Sequence, residues 1–144
     1  MKTVPACVLL LAAAVAQAEP VAAPSPRELH AAQCVAALQV DAERLAKEVK
    51  AGRLESRSVL QSRLESGTAF VGDAYMHGTH DEAKARALAN DALMAQKSLS
   101  QDELVARQAS CADEGAKLLE ASNGLERAVV RELAKRRMTK LLAG

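Results

Sequence analysis

Three apolar pairs spaced by seven, Leu104-Val105, Cys111-Ala112 and Leu118-Leu119, set the clearest period in the chain. Such a repeat belongs to an α-helix that presents one narrow seam to a neighbour. The same alternation of three and four recurs upstream, through Ala31, Cys34/Val35, Leu38, Ala42, Leu45 and Val49, then through Leu60, Leu64, Gly67, Val71 and Ala74. Between 80 and 97 the pattern is less sharp, with Leu88, Ala92, Ala95 and Leu99 on one side and Leu93 and Met94 off it. Near the C-terminus Leu125, Val129, Val130, Leu133 and Leu141 span a broad arc.

Start and stop signals bracket these stretches. Ser25-Pro26-Arg27-Glu28 offers a cap, a proline at the first helical position and a carboxylate three residues after the cap. Thr79/Glu82, Ser100/Glu103 and Asn123/Glu126 repeat that spacing, while Gly52, Gly78 and Asn123-Gly124 fall where the apolar pattern breaks. The predicted helices are 26–51, 54–77, 80–97, 101–122 and 125–142. Long helices joined by loops of a few residues imply an all-α fold of about five helices, an antiparallel helical bundle or a set of long helical hairpins.

The N-terminus reads differently. Lys2 precedes an apolar run from Ala6 to Ala16, and Ala16 and Ala18 supply small residues at the positions a signal peptidase requires. The run falls short of the roughly 20 apolar residues that span a bilayer. Residues 1–18 are therefore expected to be a cleavable signal peptide cut after Ala18, which directs the protein to the periplasm or outside the cell. Residues 19–25 are expected to form a flexible lead-in, and 26–144 a single helical domain.

Removing the signal changes two counts. Without Lys2 the chain carries 18 basic and 18 acidic residues, so no global field draws it to nucleic acid. Without Cys7 it keeps Cys34 and Cys111, one on each of two seams, in a compartment where disulfides persist. An intrachain bridge is expected. Closing a loop of that size contributes roughly 4–5 kcal/mol in the chain-entropy model. That is much for this composition: alanine is about a fifth of the chain, Trp is absent, and Phe70 and Tyr75 are the only aromatics. Buried alanine contributes far less than a buried Leu or Phe, so close helix approach or a covalent staple must supply stability.

Chemistry-bearing residues concentrate in Ala74-Tyr75-Met76-His77-Gly78-Thr79-His80-Asp81-Glu82-Ala83. His77, His80, Asp81 and Met76 offer the N, O and S donors of a copper or zinc site. Each also has a structural reading: Thr79 and Glu82 as a capping box, Asp81 at the positive end of one helix, His77 at the negative end of another. No nucleophile elbow, His-Glu-x-x-His or Gly-rich phosphate loop occurs, and carboxylates alternate with basic residues at helical spacing. Neither an enzyme nor a cofactor is expected. The last helix carries Arg127, Arg131, Lys135, Arg136, Arg137 and Lys140 against Glu126 and Glu132, a basic surface suited to an acidic partner or, less favoured, an anionic membrane. The residues favour a small non-catalytic protein that acts through protein contacts, with metal binding at the His77/His80 corner as the alternative.

The disulfide is directly testable. The intact mass of the secreted protein should lie two hydrogens below the reduced value, with mapped peptides joining Cys34 to Cys111 in one chain. Two free thiols, or a covalent dimer, would refute the pairing.

Overall fold

The computed structural model describes residues 23–144. The expected signal peptide, residues 1–18, and residues 19–22 of the lead-in lie outside the described residues. Five helices follow: α1 (Pro26–Lys50), α2 (Ser56–Met76), α3 (Glu82–Gln96), α4 (Gln101–Ala121) and α5 (Gly124–Ala143). No helix among the described residues is long and apolar enough to cross a membrane.

Capping boxes at Ser25/Glu28, Ser100/Glu103 and Asn123/Glu126 form as their spacing predicts. The fourth does not. Asp81 caps α3, with Oδ1 accepting from the amides of Ala83 at 2.9 Å and Lys84 at 3.1 Å. Asp is the stronger cap, and the Thr79 hydroxyl instead donates to Glu28 Oε1 of α1 at 3.1 Å. Gly52 and Gly78 take φ of 94° and 107°, the left-handed backbone that ends α1 and α2 without steric penalty. The second helix starts two residues later than predicted, at Ser56, whose hydroxyl donates to Glu48 near the end of α1 at 2.8 Å.

Contacts between helices fix their directions. Glu48 meets Ser56, Asp41 meets Arg63 and Arg27 meets Asp73, so α1 and α2 run antiparallel. Cys34 joins Cys111 and His30 meets Glu114, so α4 also opposes α1. Lys84 and Gln96 reach Glu28 and Gln33 in the same order along the chain, which sets α3 parallel to α1. The result is an antiparallel bundle centred on α1, which packs against every other helix and most extensively against α2.

Alanine makes that centre possible. Along α1, Ala31, Ala36, Ala37, Ala42 and Ala46 are buried together with Cys34, Leu38, Leu45 and Val49. One core gathers Leu45, Val49, Leu60, Leu64 and Met138 where α1, α2 and α5 meet; a second gathers Cys34, Leu38, Phe70, Cys111 and Ala112 around the disulfide. A third, smaller one joins Ala69, Leu119 and Val130 of α2, α4 and α5. The expected seam of α2 is partly displaced: Phe70 and Ala69 turn inward and Val71 is exposed, because α2 must meet α1, α4 and α5 at once.

Helices α2 and α4 approach at Ser66 and Gly115. The Ser66 hydroxyl donates to the Ala112 carbonyl at 3.0 Å, and a Cβ added to Gly115 would lie 2.5 Å from Ser66 Cβ and 2.8 Å from its Cα. Only glycine fits that crossing. The disulfide clamps α1 to α4 with a Cα–Cα distance of 5.2 Å. Between α1 and α2 the buried Asp41 carboxylate accepts from Arg44 at 2.6 Å and from Arg63 at 2.8 Å. Both oxygens are paired, one within α1 and one across to α2, so the buried charge is not left uncompensated.

Helix α3 stands apart. It packs on α1, buries only Ala92 and Gln96, and contributes no residue to the three cores.

Two alanine substitutions separate crossing from surface. Gly115→Ala should destabilise the protein by about 1–3 kcal/mol through overpacking against Ser66. Gly72→Ala, with no neighbour within 4 Å of the added Cβ, should stabilise it by about 0.5–1 kcal/mol through helix propensity. Urea denaturation measures both, and equal effects would remove the close approach as a constraint.

Candidate functional site

The α2–α3 corner is built from backbone demands. His77 closes α2 as its C-cap, Gly78 reverses the chain, and Asp81 opens α3. His77 Nδ1 lies 2.7 Å from the Asp73 carbonyl oxygen. A carbonyl only accepts, so Nδ1 carries the proton and donates there. The His80 ring packs edge-on against Tyr75 with centroids 4.6 Å apart. Met76 and His77 line a cleft of about 520 Å³ between α2, α4 and α5, whereas His80 lines a separate cleft of about 420 Å³ between α1, α2 and α3. Met76, His77, His80 and Asp81 are thus neighbours in sequence that face different surroundings. Among the described residues, three His, Cys or carboxylate donors converge at His30, Cys34 and Glu114 instead.

Glu28 ties the corner down. Its carboxylate accepts from the Ser25 amide at 2.7 Å, from Lys84 Nζ at 2.9 Å and from Thr79 Oγ1 at 3.1 Å. The Ser25 backbone hydrogen bond, followed by that of Lys84, lowers its pKa from 4.5 to about 2. One side chain therefore joins the start of α1 to the start of α3. Beside it Arg27 grips Asp73 through both carboxylate oxygens, at 2.8 and 2.9 Å.

The basic residues of α5 do not share one face. Arg127 and Arg131 line a depression with Glu65 and Glu120. Arg136 pairs with Glu132 at 2.9 Å, Arg137 donates to Gln39 at 3.3 Å, and Lys135 and Lys140 are exposed. Acidic neighbours and three directions divide the charge that looks continuous in sequence.

An apolar surface emerges instead. Leu125, Val129 and Leu133 recur at four-residue intervals along α5, and Val71, Tyr75 and Met76 stand on α2; all six are between 49% and 76% exposed. Tyr75, Met76, Leu125 and Val129 line the larger cleft, and Val71 and Leu133 line the next, one turn further along each helix. No family model, curated protein or solved structure matches the chain.

Two residue sets escaped the sequence reading. The spacing His30-x3-Cys34 with Cys111-x2-Glu114 is the signal for the first, since residues three or four apart share a helix face. The Leu125, Val129, Leu133 ridge was visible as part of an arc, but only the bundle shows that Val130, Ala134 and Met138 are the residues buried.

Glu28 makes stability pH-dependent. Because its folded pKa is depressed, its contribution is complete above pH 4.5 and is lost as pH falls towards 2. The difference in Tm between the native protein and Glu28→Gln should be largest above pH 4.5 and close towards pH 2. A gap that is constant across that window would remove Glu28 from the role of tie.

Proposed function

We propose that the protein is a non-catalytic helical scaffold of the periplasm or extracellular space that binds another protein through the α2–α5 apolar surface. The observation that carries this reading is the exposed ridge of Leu125, Val129 and Leu133 beside Val71, Tyr75 and Met76. Large apolar side chains exposed together, over clefts and at helical intervals, are the features of a helix-binding groove. The occupant of best fit is an amphipathic helix that lays an apolar stripe along the ridge.

The disulfide is compatible with an oxidising compartment, and the signal-like N-terminus supports the same location. Metal binding at His77 and His80 has less support, since the two rings line different clefts. Membrane attachment through α5 has less support too, since its charges are divided.

Leu125→Glu and Val129→Glu place charges on the ridge, whereas Val105→Glu changes an exposed apolar residue on α4. Surface changes of this kind alter stability by about 0.5 kcal/mol or less. A protein captured from the native envelope or medium should be retained by the native chain and by Val105→Glu, and lost with both ridge variants. Retention by the ridge variants, or capture of nothing, would overturn the reading.

A further inference from the structure

The disulfide has unusual company. His30 and Cys34 lie one turn apart on α1, Cys111 and Glu114 lie three residues apart on α4, and the two pairs face each other across the α1–α4 contact. His30 Nε2 is 2.6 Å from Glu114 Oε2 and 3.8 Å from Cys34 Sγ, and one donor atom from each of the three lies within 4.8 Å of the others. Cys111 Sγ is bonded to Cys34 Sγ. Around the sulfurs stand Ala31, Phe70 and Ala112, all buried, while His30 and Glu114 are about half exposed.

We propose that when Cys34 and Cys111 are thiols, they form with His30 and Glu114 a binding site for a divalent cation of the zinc type. Two thiolates, an imidazole and a carboxylate make up a four-donor set of the kind zinc prefers, and sulfur ligation disfavours calcium and magnesium. Zn–S bonds of about 2.3 Å and Zn–N bonds of about 2.0–2.1 Å place tetrahedral donors roughly 3.3–3.8 Å apart. His30 and Cys34 already meet that spacing. Opening the S–S bond lets the sulfurs separate to about 3.7 Å, and the ion replaces the His30–Glu114 hydrogen bond. The half-exposed histidine and carboxylate provide the entry from solvent, and the apolar walls keep water from the sulfurs.

The chemistry balances. A dithiol reduces the bridge by exchange: its two sulfurs become a disulfide, and two electrons and two protons pass to Cys34 and Cys111. The cation then displaces both thiol protons to solvent. Two thiolates and one carboxylate around a doubly charged ion, with a neutral imidazole, leave one net negative charge. A small-molecule disulfide reverses the step by exchange: it accepts the two electrons and leaves as two thiols, the Cys34–Cys111 bond re-forms, and the loss of both sulfur ligands releases the ion.

The test uses cobalt(II), whose thiolate charge-transfer and tetrahedral d–d absorption report both ligand type and geometry. The purified protein is reduced with dithiothreitol, freed of it without oxygen, and titrated, with circular dichroism recorded in parallel. The reduced chain should bind one ion with thiolate charge transfer, and the disulfide form should show none. His30→Ala and Glu114→Ala should each weaken binding by at least about tenfold, the effect that loss of even an outer partner of a metal ligand produces. His77→Ala with His80→Ala should leave it unchanged. If reduction costs helix, cobalt should restore it as it binds. Absence of the charge-transfer band, equal binding by the disulfide form, or affinity indifferent to both His30 and Glu114 would overturn the proposal.

Discussion

Everything in this bundle depends on bringing helix backbones close together. With alanine filling so much of α1, there is too little side-chain volume to support helices at the spacing that leucine-rich cores allow. Gly115 against Ser66 closes the α2–α4 gap, and the disulfide holds α4 on α1. The larger residues Leu38, Leu60, Leu64 and Phe70 then fill the spaces that remain beside these crossings. Polar ties fix register where apolar area is scarce: Asp41 between Arg44 and Arg63, Glu48 with Ser56, Glu28 with Lys84 and Thr79.

Much of this was legible in the chain. Helix starts at Ser25, Ser100 and Asn123 follow from local chemistry, since a cap and its carboxylate partner need nothing beyond four residues. Cys34 and Cys111 were predictable partners because each sat on a seam. The failures are tertiary. Asp81, two residues closer to α3, accepts from the amides of Ala83 and Lys84 in the place expected for Thr79, whose hydroxyl donates to Glu28, 51 residues away. Val71 obeyed the period of α2 yet stayed outside, because a helix with three neighbours has no single seam. At the corner, spacing placed His77 and His80 near one another in sequence, but the backbone turn between them sends their rings to different clefts.

The same distinction applies to charge. The basic run of α5 looked like one surface because sequence records composition, not azimuth. In the bundle Arg127 and Arg131 turn towards Glu65 and Glu120, and Arg137 turns the other way towards Gln39. The unpaired feature of α5 is apolar. It lies where α5 crosses α2, along the exposed edge that borders the buried Val130, Ala134 and Met138.

The separation of 77 residues between the bridged cysteines also has a dimension in time. At a synthesis rate of about 5–20 residues per second, Cys34 emerges roughly 4–15 seconds before its partner exists. Within that interval synthesis passes the ends of α1 at Lys50 and α2 at Met76, so both partners of the Asp41–Arg63 and Glu48–Ser56 ties are made before Cys111. Every newly made chain therefore passes through an interval in which the α1–α2 segment carries Cys34 without its partner, and closure of the bridge must wait for the arrival of α4.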